Sequence, residues 1–228
     1  MKKVYKVIKR VLDILISLIG IILLLPIFLL IAIVIKLDSK GKVFYLQERI
    51  KKNGKKFDII KFRTMVHDAD RRLEEFSKEQ LEEYKINYKL NNDPRITKVG
   101  KFLRKSGLDE LPQLINILKG EMSFVGPRPW IQDYYEVFTE QQKHRSDVLP
   151  GLSGLAQVKG RNGIGIIEKI EYDLEYVRNA SLKLDLKIFV LSIVELVKKS
   201  NAEISEMGIK KELNELKKLN RLNKEHIL

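Results

Sequence analysis

"ILISLIGIILLLPIFLLIAIVI" occupies residues 14–35 and decides the fold class, because these 22 residues contain no charged side chain. As a helix they would measure roughly 33 Å, enough to cross a hydrocarbon core of ~30 Å. Lys36, Asp38 and Lys40 follow directly, where a cleaved signal peptide would need a site of small residues. The segment is therefore expected to be embedded in a membrane.

The flanks of this segment bear on how it lies in the bilayer. Five of the first ten residues are Lys or Arg, and nine more lie in residues 36–61 against three acidic residues. Because Lys and Arg gather on the cytoplasmic side, a single span would leave one basic cluster on the wrong side. Pro26 favours a bend at Leu25-Pro26. We predict a re-entrant helix; the alternative is a spanning helix that tolerates the proline.

The composition of the chain limits its size class and its partners. At 228 residues it can form one domain with a sizeable core, and little more. A net charge of +13 favours anionic partners: nucleic acid, phosphorylated small molecules or an acidic bilayer. The absence of cysteine excludes disulfides, thiolate metal sites and cysteine nucleophiles.

Short patterns predict the elements that follow the apolar segment. "VFYLQERI" and "KFDIIKFRTM" read as the strands of a hairpin, because a Lys-Asn-Gly turn separates them at residues 52–54. Residues 67–90 are densely charged with leucines and aromatics at helical intervals, which predicts a solvated helical excursion. "RITKVGKFLRKS" predicts a short helix, and another helix is expected from about Ile167.

The last part of the chain predicts two amphipathic helices. "LKLDLKIFVLSIVELVKK" is too short and too charged to span a bilayer, so it is either core or an interfacial helix. From Ser200 a leucine repeat predicts packing or self-association, which leaves a homo-oligomer open. The expected fold is α+β and mostly helical. It divides into a re-entrant membrane helix (1–40), a cytoplasmic domain with a small β-hairpin and amphipathic interfacial helices (41–199), and a helical tail (200–228).

Several familiar sites are absent from the sequence. "GRNGIG" lacks the third glycine and the preceding strand of a dinucleotide fingerprint, and no glycine-rich loop ends as a P-loop does. His67, His144 and His226 are scattered without metal-ligand spacing. Neither a recognition motif nor interleaved aromatics support nucleic acid as a partner.

Asp109 and Glu110 are the strongest candidates for chemistry. Taken alone, two carboxylates at the start of a helix can be an N-cap and a first-turn acid. Nearby motifs supply cations, and a carboxylate among cations is expected to be strongly ionised, available as a nucleophile or a Mg²⁺ ligand. Guanidinium groups also match phosphate oxygens, and Arg128 is restricted by a proline on either side. These cations are Lys61, Arg63, Arg104, Lys105 and Arg128.

Five motifs stand out along the chain: "KFRTM", "DPRITKVGKFLRKSGLDELPQL", "MSFVGPRP", "PGLSGLAQVKGRN" and "YDLEYVRNASLKLDLKIF". They occur in the order found in bacterial sugar transferases. The chain closely resembles the monotopic polyprenyl-phosphate phosphoglycosyl transferases over roughly residues 5–195. The resemblance implies transfer of a phosphosugar from a UDP-sugar to a polyprenyl phosphate, usually undecaprenyl phosphate, with Mg²⁺ and release of UMP. Such a step initiates capsule, exopolysaccharide or glycoprotein glycan assembly.

The resemblance also implies roles for individual residues. Asp109 takes the place of the family's nucleophile, which forms a covalent phosphosugar-enzyme, and is the implied Mg²⁺ ligand. Glu110 is implied as its proton or metal partner, and Arg104 and Arg128 as phosphate or nucleotide contacts. Further substrate-site candidates are Lys61, Arg63, Gln157, Arg161, Asn162 and Asp173.

The implied setting is the cytoplasmic face of the bacterial inner membrane, with anionic lipids around the protein and no nucleic acid partner. One departure is that the family often has Ser-Pro at the membrane bend, whereas this chain has Leu25-Pro26. Two rival functions stay open at this point. A membrane-anchored basic binding protein would release no nucleotide from UDP-sugars, and a glycosyl transferase that moves sugar without phosphate would release UDP.

Overall fold

The computed structural model describes residues 3–87, 90, 92–160, 164–198 and 214–220. The strands are β1 (Phe44–Ile50), β2 (Lys56–Phe62), β3 (Ser123–Val125) and β4 (Gly151–Ser153). The helices are α1 (Lys3–Asp38), α2 (Lys78–Asn87), α3 (Lys98–Ser106), α4 (Gln113–Lys119), α5 (Gln132–Val137), α6 (Glu140–Lys143), α7 (Leu155–Gly160), α8 (Ile166–Asn179) and α9 (Leu182–Lys198). Residues 214–220 form one more helical segment. The predicted α+β, mostly helical fold is confirmed.

Helix α1 runs through Pro26 without interruption and contacts the rest of the protein near both ends as well as in its middle. Near its start, the hydroxyl of Tyr5 donates to Asp185 on α9 at 2.8 Å. Near its end, Ile31 and Ile35 are buried against α3 and β2. Since both ends lie on one globular body, the contacts agree with a re-entrant placement, which stays a prediction.

Polar side chains at the start of α1 fix its position on the body. The guanidinium group of Arg10 donates to the carbonyl oxygens of Ile117 and Leu118 at 2.7 and 2.8 Å, at the C-terminal end of α4. There it satisfies carbonyls that have no partner within the helix. The buried carboxylate of Asp13 accepts from the Ser123 hydroxyl and the Phe124 amide, both at 3.1 Å. Helix α1 is therefore oriented by α4 and β3.

The outer side of α1 is apolar and exposed along its length. In the part of the chain that the structure describes, α1 is the one helix long and apolar enough to cross a membrane. Helix α9 was predicted to be core or interfacial, and it has both kinds of face: Ile188 is fully buried, whereas Leu186 and Val190 are exposed. These two helices give the protein an apolar surface suited to membrane association.

The predicted hairpin is confirmed, with β1 and β2 antiparallel and Tyr45 paired with Lys61. Asn53 and Gly54 both take the left-handed conformation in the turn, with φ of 60° and 70°. Helix α4 packs on β2 through Phe57, Ile59 and Ile117, and α1 covers the same cluster. Burial of each such side chain contributes about 1.5–3 kcal/mol. The hairpin and α4 thus form one rigid unit.

Strands β3 and β4 form a short parallel pair that the sequence patterns did not predict. Ser123 pairs with Gly151, and the chains approach so closely that a Cβ on Gly151 would overlap the backbone of Gly126. The Gly151 amide donates to the Pro127 carbonyl at 2.9 Å. This pair brings the Pro-Gly stretch at residues 150–151 against the start of the Pro-Arg-Pro loop.

The charged segment at residues 67–90 is only partly helical, with a 3₁₀ turn at Arg71–Glu75 before α2. It is tied to the body by Arg95, whose buried guanidinium group stacks on Phe76 and Tyr84, with 5.0 and 4.9 Å to the ring centroids. The predicted tail helix packs inward at residues 214–220, where Leu216 is fully buried against α5 and α8. The rest of the tail lies outside the described residues.

Candidate active site

Asp109 and Glu110 lie on a separate turn between two helices. Gly107, with φ of 73°, ends α3 in the left-handed conformation, and a 3₁₀ turn follows at Leu108–Glu110. Helix α4 begins at Gln113, and no side chain caps its N-terminus. Neither carboxylate is therefore the N-cap residue of α4, and both lie in the short turn that precedes it.

Lys61 at the end of β2 pairs with Glu110. Its ammonium nitrogen lies 2.9 Å from a Glu110 carboxylate oxygen, and both side chains are largely buried. The fully buried Asn116 fixes this geometry, because its side chain accepts from the Ile60 amide at 2.9 Å and donates to the Asp58 carbonyl at 2.8 Å. Asn116 thereby clamps α4 to the strand that carries Lys61.

Arg104 approaches Asp109 from α3. Its Nε donates to the hydroxyl of the buried Thr64 at 2.8 Å, which orients the guanidinium group. Helix α3 lies so close to this segment that a Cβ on Gly100 would overlap the Thr64 carbonyl. Sequence analysis selected Lys61 and Arg63 from "KFRTM" and missed Thr64, since its role depends on a helix forty residues away.

The pKa of Asp109 is raised, first by burial and then by the negative charge of Glu110. Lys61 and Arg104 oppose this shift without cancelling it. The surrounding cations therefore do not bring the pKa of Asp109 below the ordinary Asp value. Loss of water from around the carboxyl group outweighs the attraction of the cations. Such a perturbed carboxyl is typical of a functional site.

Arg128 has an exposed side chain, while Pro127 and Pro129 beside it are buried. Its charge is felt by Arg49 on β1, whose pKa is lowered to about 10 by burial and then by Arg128. The negative charge of Glu110 acts on Arg49 in the opposite sense. Arg49 was missed, although in the predicted hairpin it shares a face with Tyr45 and Lys61.

Arg63 lies away from this cluster. Its guanidinium group donates to the Lys42 carbonyl at 2.5 Å and to the Ser39 carbonyl at 2.9 Å. Strand β2 ends at Phe62, so the following side chain turns toward the end of α1. Arg63 ties α1 to the hairpin and does not line the site with Lys61.

Four substrate-site candidates remain: Asp173 and Gln157, which the structure describes, and Arg161 and Asn162, which it does not. Asp173 is fully buried in α8 and pairs with Arg145 at 2.6 Å, so it supports the site's wall instead of lining it. Gln157 packs against β4, with its Nε2 3.4 Å from the Leu152 carbonyl and its buried Oε1 without a hydrogen-bond partner in the described chain. Arg161 and Asn162 lie outside the described residues.

The residues present fit a magnesium ion. Mg²⁺ is commonly held by one or two carboxylates together with substrate phosphates. Asp109 carries a pKa raised by a neighbouring carboxylate, and a divalent cation would relieve that repulsion. Over the described ranges no cluster of three or more His, Asp or Glu forms a metal cage. Asp109 could therefore hold the ion only with help from a ligand such as phosphate.

Comparison with known proteins agrees with these motifs. A family model for bacterial sugar transferases matches residues 4–199. Exopolysaccharide production protein ExoY of Sinorhizobium fredii is 44% identical over 188 residues, 81% of this chain and 83% of that protein. Undecaprenyl-phosphate galactose phosphotransferase of Salmonella typhimurium is 36% identical over 204 residues, 88% of this chain and 43% of that protein.

A third relative is the UDP-glucose:undecaprenyl-phosphate glucose-1-phosphate transferase of Klebsiella pneumoniae. It is 42% identical over 196 residues, which cover 82% of this chain and 39% of that protein. The matched region contains α1, the hairpin, both carboxylates and the Pro-Arg-Pro loop. The chain therefore belongs to the bacterial sugar transferase family.

Proposed function

We propose that this protein transfers a phosphosugar from a UDP-sugar to a polyprenyl phosphate such as undecaprenyl phosphate, with release of UMP. The observation that carries the proposal is the pair Asp109 and Glu110, set among Lys61, Arg104 and the arginines Arg49 and Arg128. Such a site can neutralise a diphosphate around a nucleophilic carboxylate. Two of the relatives are named as transferases acting on undecaprenyl phosphate.

In the first step, a carboxylate oxygen of Asp109 attacks the β-phosphorus of the UDP-sugar. A new bond forms between this oxygen and phosphorus, and the bond from phosphorus to the bridging oxygen breaks. UMP leaves with that oxygen and its electron pair, and the phosphosugar stays on Asp109 as an acyl phosphate. Arg104 and Arg128 are proposed to bind the phosphates of the donor, where paired guanidinium hydrogen bonds suit phosphate oxygens.

In the second step, a phosphate oxygen of the polyprenyl phosphate attacks the same phosphorus. The bond to Asp109 breaks, which restores the carboxylate and yields a polyprenyl diphosphosugar. Glu110, held by Lys61, is proposed as the proton or metal partner of Asp109. When bound, Mg²⁺ would neutralise charge on the diphosphate and on the leaving UMP.

A lipid acceptor explains why a site for a soluble sugar nucleotide should adjoin an apolar surface. The exposed side of α1 and the outer face of α9 can hold the body at a bilayer. We propose that this is the bacterial inner membrane, with the site on its cytoplasmic face and anionic lipids near the basic flanks. The proposed role is the first membrane step of exopolysaccharide, capsule or glycoprotein glycan synthesis.

The test is to incubate the protein with a panel of UDP-sugars and Mg²⁺ without lipid. We expect one UMP released per active site with an accepted donor, and the mass of a phosphosugar on the peptide that contains Asp109. Asp109→Asn should abolish both signals, whereas Asp58→Asn, an exposed carboxylate on β2, should change neither. When undecaprenyl phosphate is added to the unsubstituted protein, UMP release should become continuous.

Three outcomes would contradict this proposal. Release of UDP instead of UMP would indicate a glycosyl transferase that moves sugar without phosphate. Failure to release nucleotide with any donor or acceptor would favour a membrane-anchored basic binding protein. UMP that appears only with lipid, and without a trapped adduct, would indicate direct displacement and leave Asp109 as a metal ligand or base.

A further inference from the structure

A buried ion pair lies behind the Pro-Arg-Pro loop. Arg145 donates to one oxygen of Asp173 through Nε at 3.0 Å and through Nη2 at 2.6 Å. The exposed fractions of the two side chains are 3% and 2%. Asp173 comes from α8, and Arg145 from the turn that follows α6. The pair therefore joins α8 to the turn after α6, next to the backbone of residue 128.

Arg145 also contacts the loop itself. Its Nη2 donates to the backbone carbonyl of Arg128 at 2.7 Å. The guanidinium group lies over the rings of Trp130 and Phe138, at 4.7 and 5.9 Å from their centroids. One side chain thus fixes the backbone at residue 128 from behind, while the side chain of Arg128 is exposed on the other side.

Stability alone is a poor explanation for this arrangement. Removing two charges from water is costly, and well-packed apolar residues often serve a core equally well. Repulsion by Arg128 also lowers the pKa of Arg49, after the larger effect of burial. The loop is also tied to the end of β1, because the Ile50 amide donates to the Trp130 carbonyl at 2.9 Å.

We infer that Arg145 and Asp173 are positioning residues that hold the backbone of Arg128, so that its exposed guanidinium group is already in place before an anionic donor arrives. The loop is thereby preorganised, and the ligand does not have to order it on binding. This inference rests on the proposed function of Arg128 as a phosphate contact. It extends the site to two residues that never touch the substrate.

The experiment is a double-mutant cycle on UDP binding, measured by calorimetry on the full chain in detergent. UDP supplies the nucleotide and both phosphates and needs no turnover. Arg145→Lys keeps the charge but loses the fork that reaches Asp173 and Arg128 together. We expect it to weaken UDP binding about tenfold when Arg128 is present and less than about twofold in an Arg128→Ala background, since coupled residues depart from additivity.

A second buried pair gives a matched control. Asp93 and Arg95 lie 2.7 Å apart with exposed fractions of 3% and 4%, and within the described part of the chain the hydrogen bonds of the Arg95 side chain run to Asp93 and Ala69, not to Arg128. Arg95→Lys should therefore lower UDP affinity by the same factor with or without Arg128, whatever its cost to stability. If Arg145→Lys fails to fold, Asp173→Asn tests the same coupling with the guanidinium group intact.

Two results would overturn the inference. Equal losses from Arg145→Lys in both backgrounds would show that the pair acts on the fold in general. An Arg128→Ala variant that binds UDP as tightly as the parent would show that there is nothing to position. Neither result decides whether UMP is released from a UDP-sugar, so failure of the inference and failure of the proposed function can be distinguished.

Discussion

At the scale of single residues, the site combines a carboxyl group with a raised pKa and cations that limit the rise. Asp109 is partly buried beside Glu110, and Lys61 and Arg104 pull its pKa back toward the ordinary value. A nucleophilic carboxylate must be ionised to attack. The pH dependence of the reaction should therefore report on Lys61, even though Lys61 need not contact the substrate.

Lys61→Gln tests this balance. Removing the cation raises the pKa of Asp109 further, so a higher pH is needed to ionise the nucleophile. We expect the acid limb of kcat/KM to move to higher pH, as measured by UMP release across a pH series. Lys56→Gln is the control, because Lys56 forms a similar 2.8 Å pair with Glu48 on an exposed part of the same hairpin. An unmoved limb in Lys61→Gln would contradict the assignment.

Asp109→Asn should also change the pH dependence of stability. A carboxyl group whose pKa is raised in the folded state binds a proton more tightly there than in the unfolded chain. As the pH rises from the ordinary Asp range through the raised pKa, ionisation of this group therefore lowers the stability of the fold. Asparagine does not ionise and therefore makes no such pH-dependent contribution to stability. We expect Asp109→Asn to have the higher Tm at neutral pH in metal-free buffer, with the difference shrinking toward acid. A constant difference would contradict the raised pKa.

At the scale of secondary-structure elements, the sequence predicted the helices and strands that have a clear local residue pattern. The hairpin follows from two β-like runs and a Lys-Asn-Gly turn, and its register places Arg49 and Lys61 on one face. Strands β3 and β4 carry no such signal, because each has three residues and the partners lie far apart in the chain. The separate turn at Asp109 was also missed, since the apolar periodicity continues across it into α4.

Gly100→Ala tests the contact between α3 and the end of β2. A Cβ at this position would overlap the Thr64 carbonyl, so α3 must move away. We expect a loss of about 1–3 kcal/mol in the free energy of unfolding, as for other overpacked sites. Turnover should fall as well, because the hydrogen bond from Arg104 to Thr64 is broken.

Gly165→Ala is the matched control for that substitution. Gly165 precedes α8, its φ is −69°, and a Cβ there would have nothing within 4 Å. Stability should change by less than about 1 kcal/mol, since only an N-cap preference is affected. Equal effects of the two substitutions on turnover and unfolding by denaturant would show that the approach of α3 to Thr64 has no special role.

At the scale of the whole molecule, the site gathers residues from distant parts of the chain. Arg49 comes from the hairpin, Arg104 and Asp109 from α3 and the turn after it, and Arg128 from the loop after β3. Motifs quoted from the sequence marked three of these residues, because each lies in a dense local pattern. The roles of Arg49 and Arg145 depend on contacts between separate strands and helices, so no local sequence pattern predicts them.

The placement of α1 in the membrane also depends on contacts between distant parts of the chain. Tyr5 and Arg10 at its start, and Ile35 near its end, all contact the one body that carries the site. If the body lies in the cytoplasm, both ends of α1 must lie there as well. A straight span would have to break one of these two sets of contacts.

Single cysteines at Lys3 and Lys40 test this placement, since the natural chain has no cysteine to interfere. In intact spheroplasts an impermeant thiol reagent should label neither position, and in inverted membrane vesicles it should label both. A cysteine at the exposed Glu140 on α6 marks the side on which the body lies. Labelling of one end with the body and the other end from the opposite side would indicate a spanning helix. In that case the contacts of Arg10 with α4 and of Ile35 with α3 could not both form in the membrane.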